Sequence, residues 1–331
     1  MRTKVKVGIA GLGNHAIQPH LAKLLKMSEV EIVGAFDPDI SKFDKANEIL
    51  GTKLKFFNSY QELCFASDAV VICSSDEVHF SQLMIAAKEY GCHVLVEKPI
   101  LTDKSQAKEF KELLMSTDKV ITTCHPRRFD AMFVGIKGLV EEYQKKYGKV
   151  QYFEMITESQ VPSENERRNY RDSLLSDHLC HELDLMNYIL GVKRVKKVEK
   201  RWDGFDTYGF WAERTDDVRF FFKATKRLEK GAPCHIKMRI MFKEAELYVD
   251  NLGKTYLSIH EFCYSNPCVT VRQLHANRKK VNLPKTDHNA KYEALNRNFI
   301  DSILGKAEPY LSKDEMIMAA TLPLRYTHRR K

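Results

Sequence analysis

The chain has 331 residues, of which 44% are hydrophobic and 29% charged. That length suggests about two domains, and that composition excludes a disordered or fibrous chain. The formal net charge of +9 is uneven: residues 1–125 hold 15 Lys+Arg against 16 Asp+Glu, which leaves net +10 on residues 126–331.

No apolar run reaches the roughly 18 residues a membrane span needs, and the first six residues lead straight into a patterned strand, not a signal-peptide core. Val5 to Ala10 reads as a short apolar strand. Ile17, Leu21, Leu24 and Leu25 follow at helical spacing. Strands at Val30 to Phe36, Phe56-Phe57, Ala69 to Cys73, His93 to Val96 and Val120 to Thr123 alternate with helices at Ile40 to Leu50, Val78 to Tyr90 and Asp103 to Leu114. Such alternation builds a parallel sheet covered on both faces. After a helix near Ala131 to Tyr147 the pattern becomes β-rich. Strands are expected at Val150 to Thr157, Val195 to Trp202, Val218 to Ala224, His235 to Phe242, Ala245 to Val249 and Thr255 to Ile259. Their alternation of apolar and charged residues predicts a mostly antiparallel sheet with one wet face. Helices from about His288 to Leu304 and from Lys313 to Leu324 close the chain. The expected division is a dinucleotide-binding domain over 1–124 and a second α/β domain over 125–331.

Eight cysteines, Cys64, Cys73, Cys92, Cys124, Cys180, Cys234, Cys263 and Cys268, contain no CxxC pair. They read as reduced and mostly buried, and the expected compartment is the cytoplasm.

The first turn carries chemistry. Gly11-Leu12-Gly13-Asn14-His15-Ala16 fits GxGxxG/A between a strand and a helix. Gly11 allows the tight turn, Gly13 lets a pyrophosphate approach the backbone, and Ala16 permits close packing. The helix N-terminus adds free N–H groups and a positive dipole end. A plain strand-turn-helix would explain the glycines alone. Asp37 at the end of the second strand strengthens the cofactor reading, because an acid there binds a ribose 2′-OH and repels a 2′-phosphate. NAD is therefore expected, while Lys42 one turn later keeps NADP open.

Glu97-Lys98-Pro99 follows the His93–Val96 strand, where ligands sit in open α/β sheets. Pro99 biases Lys98 to extended geometry and makes a cis bond possible. Taken alone, Lys98 would read as a surface lysine. In the helix beginning near Asp177, Leu179, Leu183, Met186 and Leu190 form an apolar stripe, and Asp177, His181, Asp184 and Tyr188 repeat about 160° away. A carboxylate and an imidazole one turn apart suit proton transfer, although a solvent-facing polar stripe has the same spacing. His178, Cys180 and His181 lack a zinc pattern, and no metal is expected.

In order and spacing these motifs resemble the glucose-fructose oxidoreductase / inositol dehydrogenase (Gfo/Idh/MocA) family, over nearly the whole chain. The resemblance implies an NAD(P)-dependent oxidoreductase acting on a secondary alcohol of a sugar, cyclitol or anionic sugar derivative. It implies an N-terminal Rossmann domain, a C-terminal α/β domain on an open, mostly antiparallel sheet, and a homodimer or homotetramer formed through those sheets. Lys98, Asp177 and His181 match the catalytic positions. Gly11, Gly13, Asn14, His15, Ala16, Asp37, Ser74, His79, Glu97 and Lys98 fall on the cofactor side. His125, Arg128, Arg168, Tyr170, Arg171 and Asp177 fall on the substrate side. Asp172 to Ser176 and Leu179 depart from the family's glycine-rich pattern, so no particular sugar carries over, and His178 receives no role.

The basic excess near Arg127-Arg128 and Arg167 to Arg171 suggests an anionic substrate, since guanidinium forks suit oxyanions. Lys193 to Lys197 and Arg278 to Lys280 read as solvated loops. No nucleic-acid-binding module and no membrane partner is expected. A hydrolase of the same fold that retains NAD, and a dinucleotide-binding sensor without turnover, are the competing readings.

Overall fold

The computed structural model describes residues 4–160, 174–203, 207–259 and 278–325. The chain forms two compact units, Met1–Asp130 with Asp287–Tyr326, and Ala131–Thr286 with Thr327–Lys331.

The first unit is built on a parallel sheet of β1 (Val5–Ala10), β2 (Val30–Phe36), β3 (Ala69–Ile72), β4 (His93–Val96) and β5 (Ile121–Thr123), in the order β2-β1-β3-β4-β5. Phe56 adds a single parallel bridge to Ala35, where the sequence predicts a short strand. Every residue of β3 and β5 is buried, as expected when helices cover both faces. Chain order reverses between β1 and β3, so the crevice at their carboxyl ends is the ligand-binding position of such sheets.

The helix after β1 runs through the turns Asn14–Ala16, Ile17–Leu21 and Ala22–Leu24. Its middle turn is π-helical. Pro19 lies in that turn, lacks an N–H and cannot continue a regular α-helical ladder. Ile17, Leu21 and Leu24 face the core as their spacing predicts, and Leu25 is exposed.

The closing helices, His288–Ile303 and Lys313–Thr321, correct the expected boundary: they belong to the first unit. Tyr292, Leu295, Phe299 and Ile300 complete one side of its core, while Met316 and Ala320 complete the other. An amphipathic helix must bury its stripe somewhere, and periodicity does not say against which sheet. The charge asymmetry survives this reassignment. The first unit holds 22 Lys+Arg against 23 Asp+Glu, and the second remains at net +10.

The second unit carries β6 (Val150–Gln160), β7 (Val195–Asp203), β8 (Thr207–Arg214), β9 (Arg219–Leu228), β10 (His235–Phe242), β11 (Ala245–Asp250), β12 (Thr255–Ile259) and β13 (Arg278–Val281). Their order is β13-β12-β11-β10-β6-β9-β8-β7. Every neighbouring pair is antiparallel except β6 with β9. Strict alternation in β10 buries Ile236, Met238, Ile240 and Phe242, and the helices Ala131–Tyr147 and Leu174–Leu190 pack in this unit. Of the two lysine runs read as loops, Val195 to Lys197 lies in the edge strand β7, which the sequence also predicts to start at Val195, and Arg278 to Lys280 lies in the edge strand β13. Exposed charges there suit an edge, because they discourage pairing with another chain.

Among the described cysteines, Cys64, Cys73, Cys92, Cys124 and Cys180 are free and buried, and Cys234 is free and exposed. Cys263 and Cys268 lie outside the described residues. No helix among the described residues is long and apolar enough to cross a membrane.

Candidate active site

The carboxyl edge of the parallel sheet gathers the motifs of the first unit. Gly11 has φ +87°, and a Cβ on it would lie 2.7 Å from the backbone of Cys73 and Ser74. The turn after β1 and the end of β3 can meet only because Gly11 has no side chain. Gly13 differs. Its backbone is ordinary extended geometry (φ −74°, ψ 180°), and nothing lies within 4 Å of a Cβ built on it. The open space beside Gly13 suits a group approaching from outside the protein. Asn14 and His15 are exposed at this helix start, and Ala16 is buried.

Asp37 is 2% exposed and locks this edge from the side. Its Oδ2 accepts the Leu12 N–H at 2.8 Å and its Oδ1 the Asp39 N–H at 2.9 Å. Lys42 Nζ reaches both oxygens at 3.1 Å. A ribose hydroxyl seeking this carboxylate therefore competes with a half-exposed ammonium. Dinucleotide binding fits the residues present: the open face at Gly13, the helix N-terminus and a carboxylate at the end of β2.

Ser74 and His79 act at the same edge. His79 is buried, and its Nδ1 lies 2.9 Å from the Pro99 carbonyl oxygen while its Nε2 lies 3.0 Å from that of Ser74. The ring therefore ties the loop after β3 to the loop after β4. Lys98 is half-buried, and the Lys98–Pro99 bond is cis.

Glu97 accepts from two directions: Oε1 is 3.2 Å from His20 Nε2, and Oε2 is 3.3 Å from the Lys98 backbone nitrogen. Burial pushes its carboxyl up. The His20 hydrogen bond and the positive fields of His20, His15 and Lys98 outweigh this and hold it down at about 2. Burial, reinforced by the Glu97 charge, raises the Cys73 and Cys124 thiols, so both remain protonated. His20 Nε2, a Glu97 oxygen and Cys124 Sγ lie within 4.8 Å of one another. Neither His20 nor Asn296 beside it belongs to a motif read from the sequence. Pro19 in mid-helix and an Asn on the apolar stripe of the His288–Ile303 helix are the signals that could have found them.

Of the residues expected on the substrate side, Arg128 and His125 lie in the first unit. Arg128 is 6% exposed at its side chain, and its Nη1 binds Glu315 Oε1 at 2.8 Å. It anchors the start of the Lys313–Thr321 helix, where Ser312 and Glu315 form a capping box. His125 is buried, and its backbone N–H donates to the Tyr310 hydroxyl at 3.0 Å. Arg168, Tyr170 and Arg171 lie outside the described residues.

In the second unit, Asp177 and His181 fall four residues apart on the Leu174–Leu190 helix. His181 and His178 are half-buried. Leu179, Leu183 and Met186 are buried as predicted, but so are Glu182, Asp184 and Asn187. The helix is therefore embedded on more than its apolar stripe. Thr157 Oγ1 donates to Glu182 Oε1 at 3.3 Å, and Lys137 Nζ lies 4.6 Å from the Tyr188 ring centre.

Glycine turn, acid-tipped second strand and edge lysine together define a dinucleotide-binding unit of the Rossmann class. Residues 5–125 match the GFO_IDH_MocA family model, described as an oxidoreductase family with an NAD-binding Rossmann fold. It is 31% identical over 157 residues to the uncharacterized oxidoreductase YdgJ of Escherichia coli, covering 46% of this chain and 43% of that protein. It is 27% identical over 189 residues to myo-inositol 2-dehydrogenase of Thermotoga maritima, covering 56% and 55%. The chain thus aligns with about half the length of these curated relatives. Its fold resembles scyllo-inositol dehydrogenase of Lactobacillus casei, solved with NAD(H) and scyllo-inositol, at TM-score 0.76 and 17% identity, covering 97% of this chain and 95% of that one.

Proposed function

We propose that the protein is an NAD-dependent dehydrogenase that oxidises a secondary alcohol of a cyclitol or sugar. The observation that carries this reading is the common edge formed by the open face at Gly13, the Asp37 carboxylate and Lys98. The inositol dehydrogenases among its relatives support the substrate class.

When bound, the nicotinamide supplies the hydride acceptor. Gly13 and the helix N-terminus would hold its pyrophosphate, and Asp37 its ribose. His181 takes the hydroxyl proton, and Asp177 one turn earlier orients the imidazole. Lys98 stabilises the negative charge developing on the substrate oxygen, where a fixed cation acts mainly on the transition state. With Arg128 committed to Glu315, an anionic substrate would depend on other cations, Arg168 and Arg171 first among them. Self-association through the second sheet is part of the reading. Tyr152, Trp211 and Phe221 form a half-buried aromatic row across β6, β8 and β9, with ring centres 5.9 and 5.3 Å apart.

The test is a panel of inositols and sugars with NAD, followed as net NADH. Lys98→Ala and His181→Ala should each lower turnover at least a hundredfold, and His181→Ala should leave NADH binding within about threefold. Glycoside cleavage without net NADH would replace this reading by the retained-cofactor hydrolase. NADH binding without turnover of any substrate would leave the sensor.

A further inference from the structure

His20 and Asn296 are both 0% exposed and meet in the core of the first unit. Asn296 Nδ2 donates to the Pro19 carbonyl at 2.9 Å and to the Tyr292 carbonyl at 2.7 Å. Both amide hydrogens are thus used, and the amide oxygen faces His20 Nδ1 at 2.9 Å. An amide oxygen only accepts, so His20 Nδ1 carries a hydrogen. The other ring nitrogen faces Glu97 Oε1 at 3.2 Å. A neutral ring protonated at Nδ1 would direct a lone pair at a carboxylate lone pair. One more proton must therefore lie between Nε2 and Oε1. The second Glu97 oxygen receives the Lys98 N–H. These links form one chain from the closing helix to the Lys98 backbone.

We propose that His20 is a positioning residue: oriented by Asn296 and doubly protonated, it holds Glu97 as a carboxylate against the Lys98 N–H and so fixes the Lys98 backbone. The role of that backbone in catalysis rests on the function proposed above; the proton inventory does not. The helix capped by Gly13 also carries His20, so one element links the dinucleotide turn to the lysine. Other groups facing the pair are Cys124, with Sγ 3.8 Å from Nε2, and the Tyr292 ring, edge-on with its centre 5.8 Å away. His15 and Lys98 add positive field at Glu97, and Cys73 lies near its charge. A buried carboxylate stripped of its counter-charge is strongly disfavoured and takes up a proton.

Three turnover-free measurements on the full chain test this. Histidine-selective ¹⁵N NMR at pH 7 should show one ring protonated at both nitrogens, absent in His20→Gln and reduced to a single Nδ1–H in Glu97→Gln. Hydrogen exchange of the Leu95–Leu101 segment should show the Lys98 N–H exchanging at least tenfold faster in His20→Gln. That protection should return in H20Q/E97Q. There the run Asn296 Oδ1, Gln amide, Gln amide, Lys98 N–H can be satisfied without charge, which a loss of packing alone would not permit. Metal analysis of the purified protein should show less than a tenth of an equivalent of zinc.

A singly protonated His20 ring, unchanged Lys98 exchange in H20Q, no recovery in the double variant, or stoichiometric zinc would each overturn the proposal. If H20Q does not fold, Asn296→Ala serves: with His20 no longer oriented, its Lys98 N–H should exchange faster than in the wild type, and unchanged exchange would refute the role of Asn296. If the wild type turns over a polyol, H20Q should lower kcat at least tenfold with KM within about threefold, and H20Q/E97Q should regain most of it. Absence of polyol turnover in the wild type defeats the proposed function and leaves the NMR and exchange results to decide this one.

Discussion

Replacing Gly13 and Gly11 by alanine separates a requirement of the fold from a requirement of the ligand. At Gly11 the protein itself forbids a side chain. A φ of +87° costs an L-residue about 1–2 kcal/mol. The new Cβ would also press on the Cys73–Ser74 backbone at 2.7 Å, and overpacking of this kind costs about 1–3 kcal/mol more. Gly11→Ala should therefore lose about 2–5 kcal/mol, or about 5–15 °C of melting temperature. At Gly13 the φ of −74° and the empty surroundings accept alanine without strain. Reduced freedom of the unfolded chain helps by about 0.4–1 kcal/mol, and alanine's poor performance at a helix N-cap offsets much of that. The net change should stay within about 1 kcal/mol. Its methyl group, however, occupies the space assigned to the pyrophosphate. NADH should bind at least tenfold more weakly to Gly13→Ala, about 1.4 kcal/mol or more. Calorimetry gives the stability arm and NADH fluorescence titration the binding arm. Wild-type NADH affinity in Gly13→Ala would refute the assignment of that space, and an unperturbed melting temperature in Gly11→Ala would refute the turn geometry.

Lys42→Ala should raise the preference for NADH over NADPH several-fold, because it frees Asp37 for a ribose hydroxyl and removes a cation near a 2′-phosphate; competitive titration of the two cofactors checks this. Arg128→Ala should destabilise the protein by about 3 kcal/mol, since it strips a nearly buried ion pair of one partner, and denaturant melts would show it. Full stability in that variant would return Arg128 to the substrate side. Glu315 is pushed up by burial but brought below its usual range overall by Arg128 and the Ser312 amide, and Glu97 lies at about 2. For carboxyls depressed by folding, the stabilisation is complete above their unfolded value and fades as pH falls through the folded one. Thermal melts should accordingly hold level above pH about 5 and decline steadily towards pH about 2. His20→Gln should flatten the Glu97 share of that decline.

Period and motif made most of the first unit legible, because a fully buried parallel strand such as Ala69–Ile72 and a turn requiring Gly11 each leave a local signature. What could not be read was partnership across the chain. Arg127-Arg128 looked like an oxyanion fork because a guanidinium has the same appearance in sequence whether it meets a substrate or Glu315, nearly two hundred residues away. Arg278 to Lys280 of β13 looked like loop because an edge strand exposes its charges as a loop does. The Asp177–His181 spacing was legible, but the burial of Glu182, Asp184 and Asn187 beside it was not, since helical period marks a stripe and not what covers the remaining faces. Asn296 illustrates the general limit. On a helix read only as amphipathic it is an imperfection in an apolar stripe, costly when buried without a partner. Its oxygen meets His20 only after the closing helix has returned to the first unit. A buried polar residue that breaks a pattern is therefore best read as half of a contact whose other half sequence period cannot supply, and here the other half leads through Glu97 to Lys98.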